Sequence, residues 1–134
     1  EGRPRRNRQL SQRLIQAPRV KGVADVDFLI LATDKPGRES VRDELRSKRI
    51  QWLRANKHRL VAAGGKVDDT NHHVHGGLMI IEAKDRAEAE AFAQQDPFAP
   101  AGLYESVEVV RWRRVFFNHE QLVSPDPFAP DPQS

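Results

Sequence analysis

GGLMIIEAKDRAEAEAFAQQDPF, residues 76–98, reads as a strand, a capped helix and a stop in one unbroken run. Leu78, Met79, Ile80 and Ile81 make an apolar stretch of strand length, so residues 77–83 are expected to be extended. Asp85 is followed three residues later by Glu88, a capping-box spacing that starts a helix. Ala87, Ala91 and Phe92 carry that helix forward, and it must stop at Asp96 because Pro97 disfavours helical geometry in the residue before it.

Working outward, Arg59-Leu60-Val61-Ala62-Ala63 reads as a strand halted by Gly64-Gly65. Before it, Val41, Leu45, Trp52 and Leu53 repeat at helical spacing from Glu39 to about Lys57. Val26, Phe28, Leu29, Ile30 and Leu31 form a first strand that ends at Asp34-Lys35-Pro36-Gly37. Downstream, Val107 to Phe117 is a long β-branched and aromatic run. The order is β-α-β-β-α-β, a ferredoxin-like α+β fold with two helices on one face of a four-stranded antiparallel sheet. The other sheet face needs cover, from a second copy or from other protein subunits.

The 134 residues fit one domain, and 38% hydrophobic content suffices for a core. No apolar run approaches the ~20 residues that span a bilayer, so no transmembrane segment is expected. With no cysteine, disulfides, thiolate metal sites and cysteine nucleophiles are excluded. The net charge of +3 hides an asymmetry. Residues 1–21 hold Arg3, Arg5, Arg6, Arg8, Arg13, Arg19 and Lys21 against Glu1. Taking these from the 22 basic and 19 acidic residues of the chain leaves 15 against 18. The expected organisation is a basic extended arm over 1–22, a folded domain over 23–118 and a Pro-rich extended tail over 119–134. The arm suits acidic protein surfaces, RNA phosphates or anionic lipid headgroups. It also resembles the remnant of a targeting region, which places a eukaryotic chain in the mitochondrion and a bacterial one in the cytoplasm. Asp96-Pro97-Phe98-Ala99-Pro100 recurs as Asp126-Pro127-Phe128-Ala129-Pro130, and Phe128 would anchor the tail if a groove accepts that pentapeptide.

DFLILATDKPG, RIQWLRANKHRLVAAGG and the run from GGLMIIEAKD to RWRRVF together resemble the YciI-like, or YCII-related, domain over roughly residues 27–116. The resemblance implies a ferredoxin-like fold that pairs through its sheets. It also implies a site built from a histidine on the first helix and the aspartate of the Asp-Pro dipeptide. One branch of similar proteins removes HCl from a chlorinated aromatic without a cofactor. Asp96 matches the family aspartate. The histidine does not carry over: where the family commonly reads H-L-x-W-L, this chain has Arg49-Ile50-Gln51-Trp52-Leu53.

Helical spacing reaches Arg49 independently, since it lies four residues from both Leu45 and Leu53 on the inward stripe. Either its head snorkels into water at the edge of the stripe, or it pairs with Asp96. An arginine can hold an anion or a carboxylate but cannot serve as a base near neutral pH. If it pairs, it occupies the oxygens Asp96 would need for base catalysis.

His73 and His75 would share one strand face, with Asp68 and Asp69 nearby, but no clear third ligand completes a metal site, and a polar hairpin loop is the simpler reading. His58 fits a favourable contact at a helix C-terminus. Phosphate-binding and serine-hydrolase motifs do not occur.

Two functions follow. The favoured one is a non-catalytic accessory subunit of a larger assembly, such as a respiratory complex or ribosome, docking through its arm and through the sheet face that carries Trp112. It rests on the lost histidine and the long extensions. The alternative is a small lyase or isomerase of dehydrochlorinase type with Asp96 at its site. Neither calls for a cofactor or a metal.

Overall fold

The computed structural model describes residues 25–122. The arm cations Arg3, Arg5, Arg6, Arg8, Arg13 and Arg19, and Phe128 in the tail, lie outside the described residues. The chain runs β1 (Val26–Asp34), α1 (Glu39–Ala55), a 3-10 turn (Lys57–Arg59), β2 (Leu60–Val67), β3 (Val74–Ala83), α2 (Arg86–Gln95) and β4 (Tyr104–Trp112). A small hairpin follows, β5 (Phe116–Phe117) and β6 (Glu120–Gln121). The four long strands form one antiparallel sheet in the order β2-β3-β1-β4, the expected ferredoxin-like arrangement.

β1 is central because both of its faces are apolar. Phe28, Ile30 and Ala32 turn to the helices and are buried with Met79, Ile81 and Ala83 of β3. Ala89, Phe92 and Ala93 of α2 close over them, and Trp52 of α1 meets Phe92 with ring centroids 4.8 Å apart. Burying a residue such as Phe92 stabilises the fold by about 1.5–3 kcal/mol. Asp85 caps α2 as expected, accepting the Glu88 N–H at 2.9 Å, while the Glu88 carboxylate reaches back to the Lys84 N–H at 2.7 Å.

Several boundaries differ from the sequence reading, and β4 begins at Tyr104, ahead of Val107. Gly64-Gly65 does not stop β2, because Gly64 pairs with Leu78 and Gly65 with Gly77 along the β3 ladder. Cross-strand pairing outweighs the poor strand propensity of glycine. For the same reason β3 begins at Val74, ahead of Gly77. β4 ends at Trp112 and does not run on to Phe117. Trp112 sits opposite Asp27 near the start of β1, and beyond it no neighbouring strand remains to pair with. Phe116 and Phe117 instead belong to the hairpin, whose Asn118 and His119 both take positive φ (53° and 71°), the geometry of a tight two-residue turn.

One feature of the packing creates a cleft. On its inward stripe α1 carries long side chains (Arg42, Arg49, Leu53), and facing them the strands carry Gly64, Gly65 and Gly76. A Cβ at Gly76 would collide with the Ala32 carbonyl, so that position needs glycine. Helix and strands therefore stand apart, and no residue of α1 is fully buried.

Candidate functional site

The site starts at the turn that ends α2. The Asp96 carbonyl accepts the Ala99 N–H at 2.8 Å, and Oδ1 of its side chain accepts the Phe98 N–H at 3.0 Å. Pro97, with its fixed φ, sits where such a turn favours it. The turn thus points the Asp96 carboxylate inward, 2% exposed as a residue. Two more donors meet it there: Arg49 Nε donates to Oδ1 at 3.0 Å, and the Tyr104 hydroxyl donates to Oδ2 at 2.8 Å.

Arg49 does not snorkel. Its side chain is 14% exposed and forms the expected ion pair with Asp96. Tyr104, at the first position of β4, is a member the sequence reading missed. Burial and the adjoining Asp96 charge push its phenol pKa well above the usual value, so it stays a neutral donor.

A second buried pair lies alongside. Arg42 donates from Nε and Nη2 to the two oxygens of Asp34 at 2.8 and 2.9 Å, a bidentate contact. Burial works against the Arg42 charge, but the hydrogen bond and charge of Asp34 outweigh it and raise its pKa further. The Cζ atoms of Arg42 and Arg49 lie 4.8 and 5.0 Å from the centroid of the Phe98 ring, so one aromatic face or edge serves both cations. The sequence reading missed Arg42 as well; the signal that could have found it is its place seven residues before Arg49, on the same helical stripe.

These residues border a cleft of about 250 Å³ between α1 and the β2–β3 strands. Arg42, Arg46 and Arg49 line it, with an apolar floor of Ile50, Leu53, Met79 and Phe98. Asp96 does not reach the cleft. It borders a separate void of about 10 Å³ behind Arg49, shared with Tyr104, with room for a single water at most. Arg49 is therefore the group a ligand meets, and Asp96 holds it in place.

The remaining sequence candidates lie elsewhere. Trp112 falls on the open sheet face, opposite Asp27, together with Val110, while Val109 turns to the helices. His73 and His75 do share a face, with ring centroids 6.3 Å apart, and His73 Nε2 is 3.7 Å from a Glu39 oxygen. Among the described residues no three histidine or carboxylate side chains gather as a metal site would require. No described helix is long and apolar enough to cross a membrane.

The model of the YCII-related domain matches residues 26–113, from the start of β1 past the end of β4. The chain belongs to the YCII-related domain family. Among solved structures, this YCII-related chain is similar to 5-chloro-2-hydroxyhydroquinone dehydrochlorinase (TftG) from Burkholderia phenoliruptrix AC1100, in its complex with 2,5-dihydroxybenzoquinone. Identity is 30%, coverage 65% of this chain and 93% of that one, and the TM-score 0.59. It is also similar to PA3566 from Pseudomonas aeruginosa, at 21% identity, with 69% of this chain and 96% of that chain covered and a TM-score of 0.42. No curated protein sequence matches it significantly.

Proposed function

We propose that this YCII-related chain is a small cofactor-free lyase or isomerase of the dehydrochlorinase type, acting on a small ring compound in the cleft beside α1. The observation that carries the reading is Arg49, locked by Asp96 and presented to an apolar-floored cleft, in a fold similar to an enzyme named for loss of HCl. That similarity favours an enzyme over the accessory subunit expected from the lost histidine.

Replacing histidine by arginine changes the chemistry but does not abolish it. Among the described residues that line the cleft there is no histidine and no carboxylate. The substrate accordingly enters as its own phenolate or enolate, and no protein base is needed. The fixed guanidinium donates hydrogen bonds to the anionic oxygen and aligns the ring. A proton from a second ring hydroxyl is first relayed through water to the carbon that bears the leaving group, giving the keto tautomer. The electron pair of the anionic oxygen then moves into the ring, and the leaving anion departs with the electrons of its own bond to leave a quinone. Asp96 acts as a positioning residue, since three donors already occupy its oxygens. Tyr104, kept neutral, holds Asp96 from the far side.

The test is to incubate the full chain with chlorinated hydroxybenzenes, following chloride release and quinone absorbance. Release above the buffer rate is expected, falling by about 10²–10³-fold in Arg49→Leu, as when an oxyanion-holding donor is removed. Rates equal to buffer alone across the series would overturn the reading.

We propose as well that a second copy covers the open sheet face, as resemblance to the family implies. In support, Leu29, Leu31, Leu78, Ile80, Val110 and Trp112 share that face by register. At one end of that face Arg114 pairs with Asp27 at 2.5 Å and approaches Glu82 at 3.7 Å.

A further inference from the structure

We infer that the cleft takes a carboxylate: Arg42, Arg46 and Arg49 bind the carboxylate of a small ring compound whose flat body lies on Phe98 and Met79. This names the ligand class of the cleft and rests on the reading above that the cleft is the working site.

Residues 42, 46 and 49 are spaced so that they fall on one stripe of a helix, and all three line the cleft. The carboxylates that pair with the two inner arginines stand behind them and outside the cleft lining. Asp34 takes Nε and Nη2 of Arg42, which leaves its Nη1 donors, and Asp96 takes Nε of Arg49. A guanidinium has five N–H donors, so each inner arginine keeps several for a ligand. Both are anchored from behind and stacked at Phe98, so little conformational freedom is lost when they bind.

Arg46 differs. Its contact with Asp43 is short, at 2.9 Å, but the two side chains are 62% and 65% exposed. Such a surface pair holds weakly, so Arg46 is free to turn across the cleft mouth and close on an anion.

The rest of the lining selects the kind of anion. A planar carboxylate matches an arginine fork with two parallel hydrogen bonds. The floor of Ile50, Leu53, Met79 and Phe98 suits an apolar ring, which an inorganic anion would leave uncovered. At about 250 Å³ the cleft falls below the ~300–1,000 Å³ of drug-sized pockets, which points to one ring.

The experiment titrates the full chain at constant ionic strength with sodium benzoate, with benzamide as its neutral counterpart and with sodium acetate as a carboxylate without a ring. Calorimetry gives the affinities. Benzoate is expected to bind saturably and at least about tenfold more tightly than either control, the scale of one charge-assisted contact. Arg46→Gln is expected to weaken benzoate about tenfold while its unfolding midpoint stays put. Equal binding of benzoate and benzamide, equal binding of benzoate and acetate, absence of saturable benzoate binding, or unchanged affinity in Arg46→Gln would each overturn the inference. Chloride release is scored separately. A chain that binds benzoate selectively and releases no chloride keeps this inference and loses the lyase; a chain that releases chloride without preferring benzoate does the reverse.

Discussion

The two faces of the sheet treat charge and apolar surface in opposite ways. Toward the helices, charged side chains are sunk among Phe98, Met79 and Phe92, each held by a carboxylate of the same chain. On the open face the apolar residues lie in the middle, Val110 44% exposed, and the ion pair of Arg114 with Asp27 sits toward one end. The first face is complete within one chain, because every buried charge has its partner there. The second presents apolar surface that the described residues do not cover. An arginine-lined cleft and an apolar surface thus occupy opposite sides of one four-stranded sheet.

Breaking the covered face should have the largest effect. Asp96→Ala strips the acceptor from Arg49, Tyr104 and the Phe98 N–H at once. A loss of about 3–5 kcal/mol is expected, the scale for removing one partner of a buried pair, read from the midpoint of chemical denaturation. Arg49→Leu removes one donor of the three, so a smaller loss of about 1–3 kcal/mol should follow. Arg49→His should fold with a cost near or below that of the Leu variant, because imidazole keeps an N–H donor that leucine lacks.

Tyr104 sharpens the contrast through pH. It is the single tyrosine of the chain, so tyrosinate absorbance reports on it alone. Its folded pKa is raised by burial and by Asp96. The stability it contributes is therefore fully present below the unfolded value of about 10, and is lost as pH climbs toward the folded one. At pH about 10.5 the native chain should show almost no tyrosinate, with the signal appearing together with unfolding. Titration of the folded protein at the value of a free tyrosine would mean that the Asp96 cluster is wet and open.

The open face should respond in assembly more than in fold. Val110→Glu is expected to change protomer stability by no more than about 0.5 kcal/mol, as exposed substitutions do, while sedimentation shifts from dimer to monomer. A wild-type chain that sediments as a monomer would remove the second copy from the account. The smallest effect belongs to the exposed end of α1: Asp43→Asn, which frees Arg46, should cost less than about 0.5 kcal/mol.

Much of this was legible in residues taken singly or in short patterns. The Asp85–Glu88 spacing marked the start of α2, and Pro97 marked its end, because capping and proline geometry are local constraints. Arg49 stood out as a charge on an inward stripe, with snorkelling and pairing with Asp96 as its two readings, and the structure shows the pairing. The ends of β2, β3 and β4 were not legible. Each is set by where a neighbouring strand begins or stops, which no local preference encodes. Tyr104 was missed for a related reason: seven residues of turn and loop, 97–103, bring it back to Asp96, and nothing in its own surroundings marks it as a partner.

The sequence by itself determined the element order, the capped helix, the charge imbalance of the arm and the presence of a charge, Arg49, on the inward stripe of the first helix. These depend on residue type and on spacings within one or two turns of chain. Only the tertiary structure decided that Arg49 faces the cleft while Asp96 stands behind it. Only the structure, too, brought Arg42 to the same phenyl ring and put Trp112 on the open face. The order of residues along a helix says which side chains share a face. What faces them is set by strand register and by the gap that glycines leave, and both are settled when distant segments pack.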